Sequence, residues 1–192
     1  MKKFYLLPNL PSFDWLGRYF NPNKKVANFK KRNKDIRIGV ISSLSHYKKG
    51  EQADADYADD LEIVESAAKE LKERGVNGIK FVMPIGTDNE ITQRLKKYAD
   101  VEGKPMVPIR QYPTFIDDLD LDLVVVPLQN NEFNNSKSNI KLIECAALGI
   151  PVIVSESYAY KGFIDDKFKF KDDKELVAKI MWIRGWSEKE FG

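Results

Sequence analysis

The chain has 192 residues, 43% hydrophobic and 31% charged, enough apolar material for a sizeable core and too much for a low-complexity disordered chain. One Cys (Cys145) and one His (His46) exclude a disulfide framework, a zinc cage and a multi-histidine centre, so no metal is expected and a reducing, cytoplasmic setting is. The apolar stretches Leu121–Leu128 and Gly149–Val154 fall short of the roughly 20 residues of a membrane helix. The opening run Met1–Leu7 meets Pro8 too soon to be a secretory signal core.

The net charge of +2 hides an asymmetry, because residues 1–37 carry ten Lys or Arg against two Asp, leaving a remainder of net −6. A basic arm suits a nucleic acid or the anionic inner face of a membrane. Phe13, Trp15, Tyr19 and Phe20 precede the basic cluster rather than interleave with it, which favours a solvated linker over a binding arm. The acidic body opposes a nucleic-acid partner, while peripheral membrane contact through the arm stays open. The reading is a linker or arm over 1–35 and a folded domain over 36–192.

The β-branched Ile36–Ile41 reads as a buried first strand. Residues 42–53 are a polar loop. From Asp56 to Arg74 apolar residues recur at Leu61, Val64, Ala68 and Leu71, with Glu65/Lys69 and Glu70/Arg74 at i,i+4 and Gly75 as a stop, which predicts a helix. Ile79–Met83 reads as a second strand, and Thr87–Glu90 has capping-box spacing ahead of Ile91, Leu95 and Tyr98. Met106–Ile109 is expected as a third strand, Pro113–Leu119 as a short helical or turn segment, and Leu121–Leu128 as the most buried strand. A helix over Lys137–Leu148 stopping at Gly149, a fifth strand over Pro151–Val154 and a last helix over Lys174–Arg184 complete the pattern. Strands alternating with helices require right-handed parallel crossovers, so the expected fold class is α/β, a doubly wound parallel sheet of Rossmann type.

In such a sheet ligands sit beyond the carboxyl ends of the strands. Two loops stand out there. Ser42–Gly50, after the first strand, offers Ser43, His46 and Lys48, donors suited to an anionic oxygen or members of an ordinary polar loop. It contains neither G-x-G-x-x-G nor G-x-x-x-x-G-K-[ST]. The second, Gln129–Glu144, leads from the most buried strand into a helix whose first turn, with Lys137 and Ser138, makes an anion site from free N–H groups, the macrodipole and an ammonium. Ser136 or Ser138 could instead be a plain N-cap. Glu144, about 12 Å beyond Ser136 along one continuous helix, could hold a sugar hydroxyl while the helix tip holds a diphosphate; the alternative is a solvated carboxylate.

Asn134–Ser155, with Glu144-Cys145-Ala146-Ala147 leading into Gly149-Ile150-Pro151-Val152, resembles the donor-binding motif of group 1-like GT-B glycosyltransferases. Asp122–Leu128 resembles the strand before that motif, Arg37–Val40 the first strand of that domain, and Tyr5–Asn9 the segment linking the two GT-B domains. The resemblance implies the C-terminal half of a GT-B enzyme that transfers a sugar from a nucleoside-diphosphate sugar to a glycan or lipid-linked acceptor in polysaccharide biosynthesis. That sugar nucleotide is the substrate; no cofactor is implied. By the same resemblance Glu144 binds the ribose and the amides of Asn139 and Ile140 hold the diphosphate. The loop with Ser43, His46 and Lys48 neutralises it, and Ile109, Arg110 and Tyr112 receive the base. Where the common retaining pattern has a second Glu, this chain has Ser136, so the donor-sugar contact falls to Ser136 or Glu132 and retention versus inversion stays open.

The resemblance also implies that an N-terminal domain carrying the acceptor pocket is missing, so that this half alone is inactive. It sends the last helix, with Met181, Trp182, Ile183 and Trp186, toward that domain; ordinary core packing is the alternative. The rival class is a non-catalytic α/β nucleotide-binding or signalling module. A receiver-type module would want acids after its first strand and an Asp after its third, where this chain has serines and Ile109-Arg110-Gln111.

Overall fold

The structure, a computed structural model, describes residues 35–42, 47 and 59–185. The basic arm, Ser43, His46, Lys48 and Trp186 lie outside the described residues. The elements are β1 (Ile36–Val40), α1 (Glu62–Glu73), β2 (Ile79–Met83), α2 (Glu90–Lys96), β3 (Asp100–Gly103), α3 (Tyr112–Asp118), β4 (Leu123–Val126), α4 (Glu132–Asn135), α5 (Ile140–Ala147), β5 (Val152–Ser155), β6 (Lys169–Phe170) and α6 (Asp173–Arg184). All strand pairs are parallel, in the order β3-β2-β1-β4-β5-β6. This is the doubly wound α/β arrangement, with its switch point between β1 and β4, where the direction of winding reverses.

The two faces of the sheet are covered by different helices because alternate strand residues point to opposite sides. Ile36, Ile38, Val40, Phe81, Leu123 and Val125 pack with Val64 and Leu71 of α1, Leu95 of α2, and Leu176 and Ile180 of α6. Val82, Val124, Val126, Val152 and Val154 pack with Ile116 and Leu119 around α3 and with Cys145 and Leu148 around α5. Gly39 is needed for this second layer, since a Cβ there would stand 2.5 Å from Leu121 Cδ1 and 3.2 Å from Val124 Cγ2. Gly149, at φ 65°, turns the chain out of α5 and into β5.

Several sequence expectations are corrected. The third strand is Asp100–Gly103, not Met106–Ile109. Pro105 and Pro108 lack the N–H groups that a ladder needs, and Met106 is 63% exposed. An edge strand requires little apolar content, so Val101, buried among polar neighbours, carries β3. A sixth strand of two residues, β6, joins the expected five. Asn89, not Thr87, caps α2: its side chain accepts from the Ile91 and Thr92 amides at 3.0 Å each, and Thr92 returns the bond. Helix α1 begins at Glu62 rather than Asp56. Of its expected internal pairs Glu70–Arg74 forms, whereas Lys69 pairs with Glu73 and Glu65 reaches Arg94 of α2.

The expected helix over Lys137–Leu148 is α5, which begins only at Ile140, and a separate short helix, α4, precedes it, with residues 136–139 between the two. In α6, Ile183 is buried in the core while Met181 and Trp182 are 37% and 41% exposed, and the Trp182 ring packs 5.5 Å from that of Phe168. Core packing therefore accounts for part of this helix. Among the described residues no helix is long and apolar enough to cross a membrane.

Candidate functional site

The chain leaving β4 is fixed by side chains rather than by the sheet. Leu128 N–H donates to Ser155 Oγ of β5 at 2.7 Å, and the next amide, Gln129 N–H, donates to Asp60 Oδ1 at 2.7 Å. Asp60 also accepts from Asn134 Nδ2 at 2.9 Å, and the same Nδ2 donates to Gln129 O at 2.9 Å. Asp59 and Asp60 are 2% and 1% exposed, which a carboxylate tolerates only when hydrogen-bonded or paired. Asp59 Oδ2 meets Arg94 Nη1 at 2.7 Å, and Arg94 also grips Glu65 through two nitrogens at 3.0 and 2.6 Å. Burial works against the Arg94 charge, yet Glu65 and Asp59 outweigh it and raise its pKa. Tyr47 is buried beside this network, and burial pushes its phenol well above the ordinary value.

Tyr47, Gln129 and Asn134 lie in the two loops that the sequence singles out, whereas Asp59, Asp60, Glu65 and Arg94 lie outside both. The acidic Asp59-Asp60 step before α1 was legible, but only the adjacency of β1 and β4 brings it to Gln129 and Asn134. The network ties the switch-point loop to the residues before α1 and so places α4 beyond the carboxyl ends of the strands.

On that platform the candidates fall into two groups. The first surrounds α4. Asn131 caps it by accepting from Asn134 N–H at 2.7 Å. Glu132 is its exposed first residue, Ser136 Oγ donates to Glu132 O at 2.9 Å, and Lys137 Nζ lies 3.7 Å from the centre of the Phe133 ring. Ser136 thus ends α4 rather than starting α5, and neither it nor Ser138 is the N-cap of α5. That position is Asn139, whose side chain makes no cap bond. Because the helix is interrupted, the 12 Å expected along one continuous helix does not apply. Glu144 is the fifth residue of α5, about 6 Å along its axis from Ile140. Asn139 is buried and Ile140 partly exposed, so the first amides of α5, which have no partners inside the helix, sit at the border of the core.

The second group joins α3 and α5. Lys141 Nζ donates to Tyr112 Oη at 2.6 Å and to Glu144 Oε2 at 3.1 Å, and lies 4.5 Å from the centre of the Tyr112 ring. Burial opposes the Lys141 charge, but Tyr112 and Glu144 outweigh it and raise its pKa. Burial pushes the Tyr112 phenol up to about 12 against the pull of Lys141. The structure thus brings together Tyr112 and Glu144, two candidates 32 positions apart, through a lysine that was not a candidate. Its i,i+3 spacing to Glu144 was a visible signal. Arg110 is exposed on the single turn before α3, and the Ile109 side chain is outside the described part.

Two cavities lined by described residues lie elsewhere. One of about 340 Å³ opens between α1 and the amino ends of β2 and β3, and a shallow one of about 700 Å³ lies over Gly162–Lys169. Neither touches α5, and by topology the first is at the wrong end of the sheet for a ligand of a doubly wound fold. Among the described residues no group of three or more His, Cys, Asp or Glu could hold a metal ion.

No protein-family model matches the chain, and no curated protein matches it. Among solved structures, it is similar at 10% identity and a TM-score of 0.46 to a protein from Listeria monocytogenes described as a candidate UDP-N-acetylglucosamine 2-epimerase, over 90% of this chain and 45% of that one. The chain therefore spans less than half the length of that neighbour.

Proposed function

We propose that this chain is the nucleotide-sugar-binding half of a GT-B-type glycosyltransferase. The observation that carries the reading is the Tyr112–Lys141–Glu144 arrangement beside the N-terminus of α5. An aromatic ring for a base, a fixed carboxylate for ribose hydroxyls and uncapped helix amides for phosphate lie on two adjoining helices. These are the three recognition elements that a nucleoside diphosphate needs.

The diphosphate would lie at Ser138, Asn139 and Ile140 with Lys137 nearby, and Ser43, His46 and Lys48, which follow β1 in the sequence, are the further donors assigned to it. The sugar would extend toward Glu132 and Ser136. Binding belongs to this chain alone, whereas transfer to a glycan or lipid-linked acceptor requires a second domain, because positioning the acceptor supplies a large share of a bimolecular rate enhancement.

A thermal-shift series tests the reading, since a ligand that binds only the folded state raises the melting temperature. Stabilisation should rank nucleoside diphosphate above monophosphate above nucleoside and should weaken with salt. Equal stabilisation by nucleoside and diphosphate would remove the phosphate site.

A further inference from the structure

We propose that Lys141 is a positioning residue that makes one nucleoside-recognising wall out of two separate helices, by holding the Tyr112 ring and the Glu144 carboxylate against each other. The inference deepens the donor-site reading and rests on it. Tyr112 opens α3 and Glu144 lies inside α5. The Lys141 ammonium, itself on α5, spans the gap with bonds of 2.6 and 3.1 Å.

The geometry specifies what the clamp does. Lys141 holds Glu144 through Oε2, and Glu144 Oε1 has no hydrogen bond among the described residues. One carboxylate oxygen is therefore anchored and the other is left to accept from a ribose. On the Tyr112 side the bond tethers the phenol oxygen, so the far end of the ring is held against α5 before the ligand arrives. Glu144 and Lys141 side chains are only 13% and 28% exposed, and in such partly dry surroundings a charge-assisted pair is held more firmly than in water. A lysine with two of its three donors spent on protein groups organises its neighbours rather than carrying the phosphate itself.

Titration calorimetry of the full chain with uridine, guanosine, thymidine and adenosine diphosphates, and with the matching nucleosides, separates these roles. Lys141→Met should weaken the preferred diphosphate and its nucleoside by the same factor, roughly ten- to hundredfold, as large as the loss from Glu144→Gln. Glu144→Gln added to Lys141→Met should weaken binding little further, because an unanchored carboxylate has already lost its value. Lys141→Arg should restore part of the affinity, and Tyr112→Phe, which keeps the ring and removes the oxygen, should weaken binding about threefold. Should Lys141→Met fail to fold, Tyr112→Phe and Lys141→Arg carry the test. A Lys141→Met effect confined to the diphosphate, multiplicative losses in the double variant, or an unchanged Tyr112→Phe would overturn the positioning role while leaving the donor site standing. Absence of binding by the unaltered chain would overturn both.

Discussion

Asp60 and Asn134, 74 positions apart, are joined by a 2.9 Å hydrogen bond in which the buried carboxylate accepts from the side-chain amide. The same oxygen takes the backbone N–H of Gln129, so one acid before α1 fixes both the exit of β4 and the helix α4 that follows. Asp60→Ala should leave the half-buried Gln129 N–H without this acceptor and cost about 2–3 kcal/mol, since hydrogen bonds to charged groups contribute more than neutral ones. Asp60→Asn, which keeps an acceptor oxygen, should cost about half as much. Urea unfolding measures both, and equal losses would show that the oxygen is not what matters.

Arg94 holds Asp59 and Glu65 at once. Arg94→Met would strand the buried Asp59 and should cost about 2–4 kcal/mol, toward the lower part of the range for a broken buried pair because Arg94 is partly solvent-exposed. Asp59→Asn in the same chain should recover part of that loss, because the stranded charge goes with it. Strict additivity in denaturant melts would contradict the pairing.

Glu102 sits on β3 between Lys104 and Arg37. Lys104 lowers its pKa, burial opposes the shift, and Arg37 adds to it. A carboxylate whose folded pKa is depressed stabilises the fold above its unfolded value, and that contribution is lost as pH falls through the folded pKa. Relative to Glu102→Gln, the unaltered chain should therefore be more stable at pH 6 by up to about 1 kcal/mol. The two should converge below the unfolded glutamate value of about 4.3. A gap that persists unchanged at pH 3 would contradict the assignment.

Gly39→Ala tests the close approach of β1 to its second packing layer. The added methyl would meet the buried Leu121 and Val124 side chains and should cost about 1–3 kcal/mol by overpacking. A thermally unchanged variant would mean that Leu121 moves aside without strain.

The buried centre of the sheet was legible because burial on both faces writes itself as unbroken apolar runs. β4 and the Val152–Val154 part of β5 are such runs, and the expected strands Leu121–Leu128 and Pro151–Val154 contain them. The periphery was not legible. β3 has a single apolar residue at the sheet edge, and the more hydrophobic Met106–Ile109 stretch drew the assignment to itself although two prolines bar it from a ladder. The break between α4 and α5 was hidden because Asn134 looks like part of one polar helix entry. In fact its amide is claimed by Asp60, a contact that only strand order creates. Glu144 and Tyr112 were both read as candidates, but nothing in linear spacing could tie them together, since the tie runs between helices through Lys141.

In the proposed function this chain alone binds a nucleoside diphosphate through α5. The most direct test is calorimetric titration of the full chain and Glu144→Gln with uridine, guanosine, thymidine and adenosine diphosphates. At least one should bind, and Glu144→Gln should weaken it roughly ten- to hundredfold, as expected when a charge-assisted contact is lost at about 1.4 kcal/mol per factor of ten. Discrimination between ribo- and 2′,3′-dideoxy ligands should also shrink in that variant. A folded chain that binds none of the four, or binds one with affinity indifferent to Glu144, would contradict the proposed function.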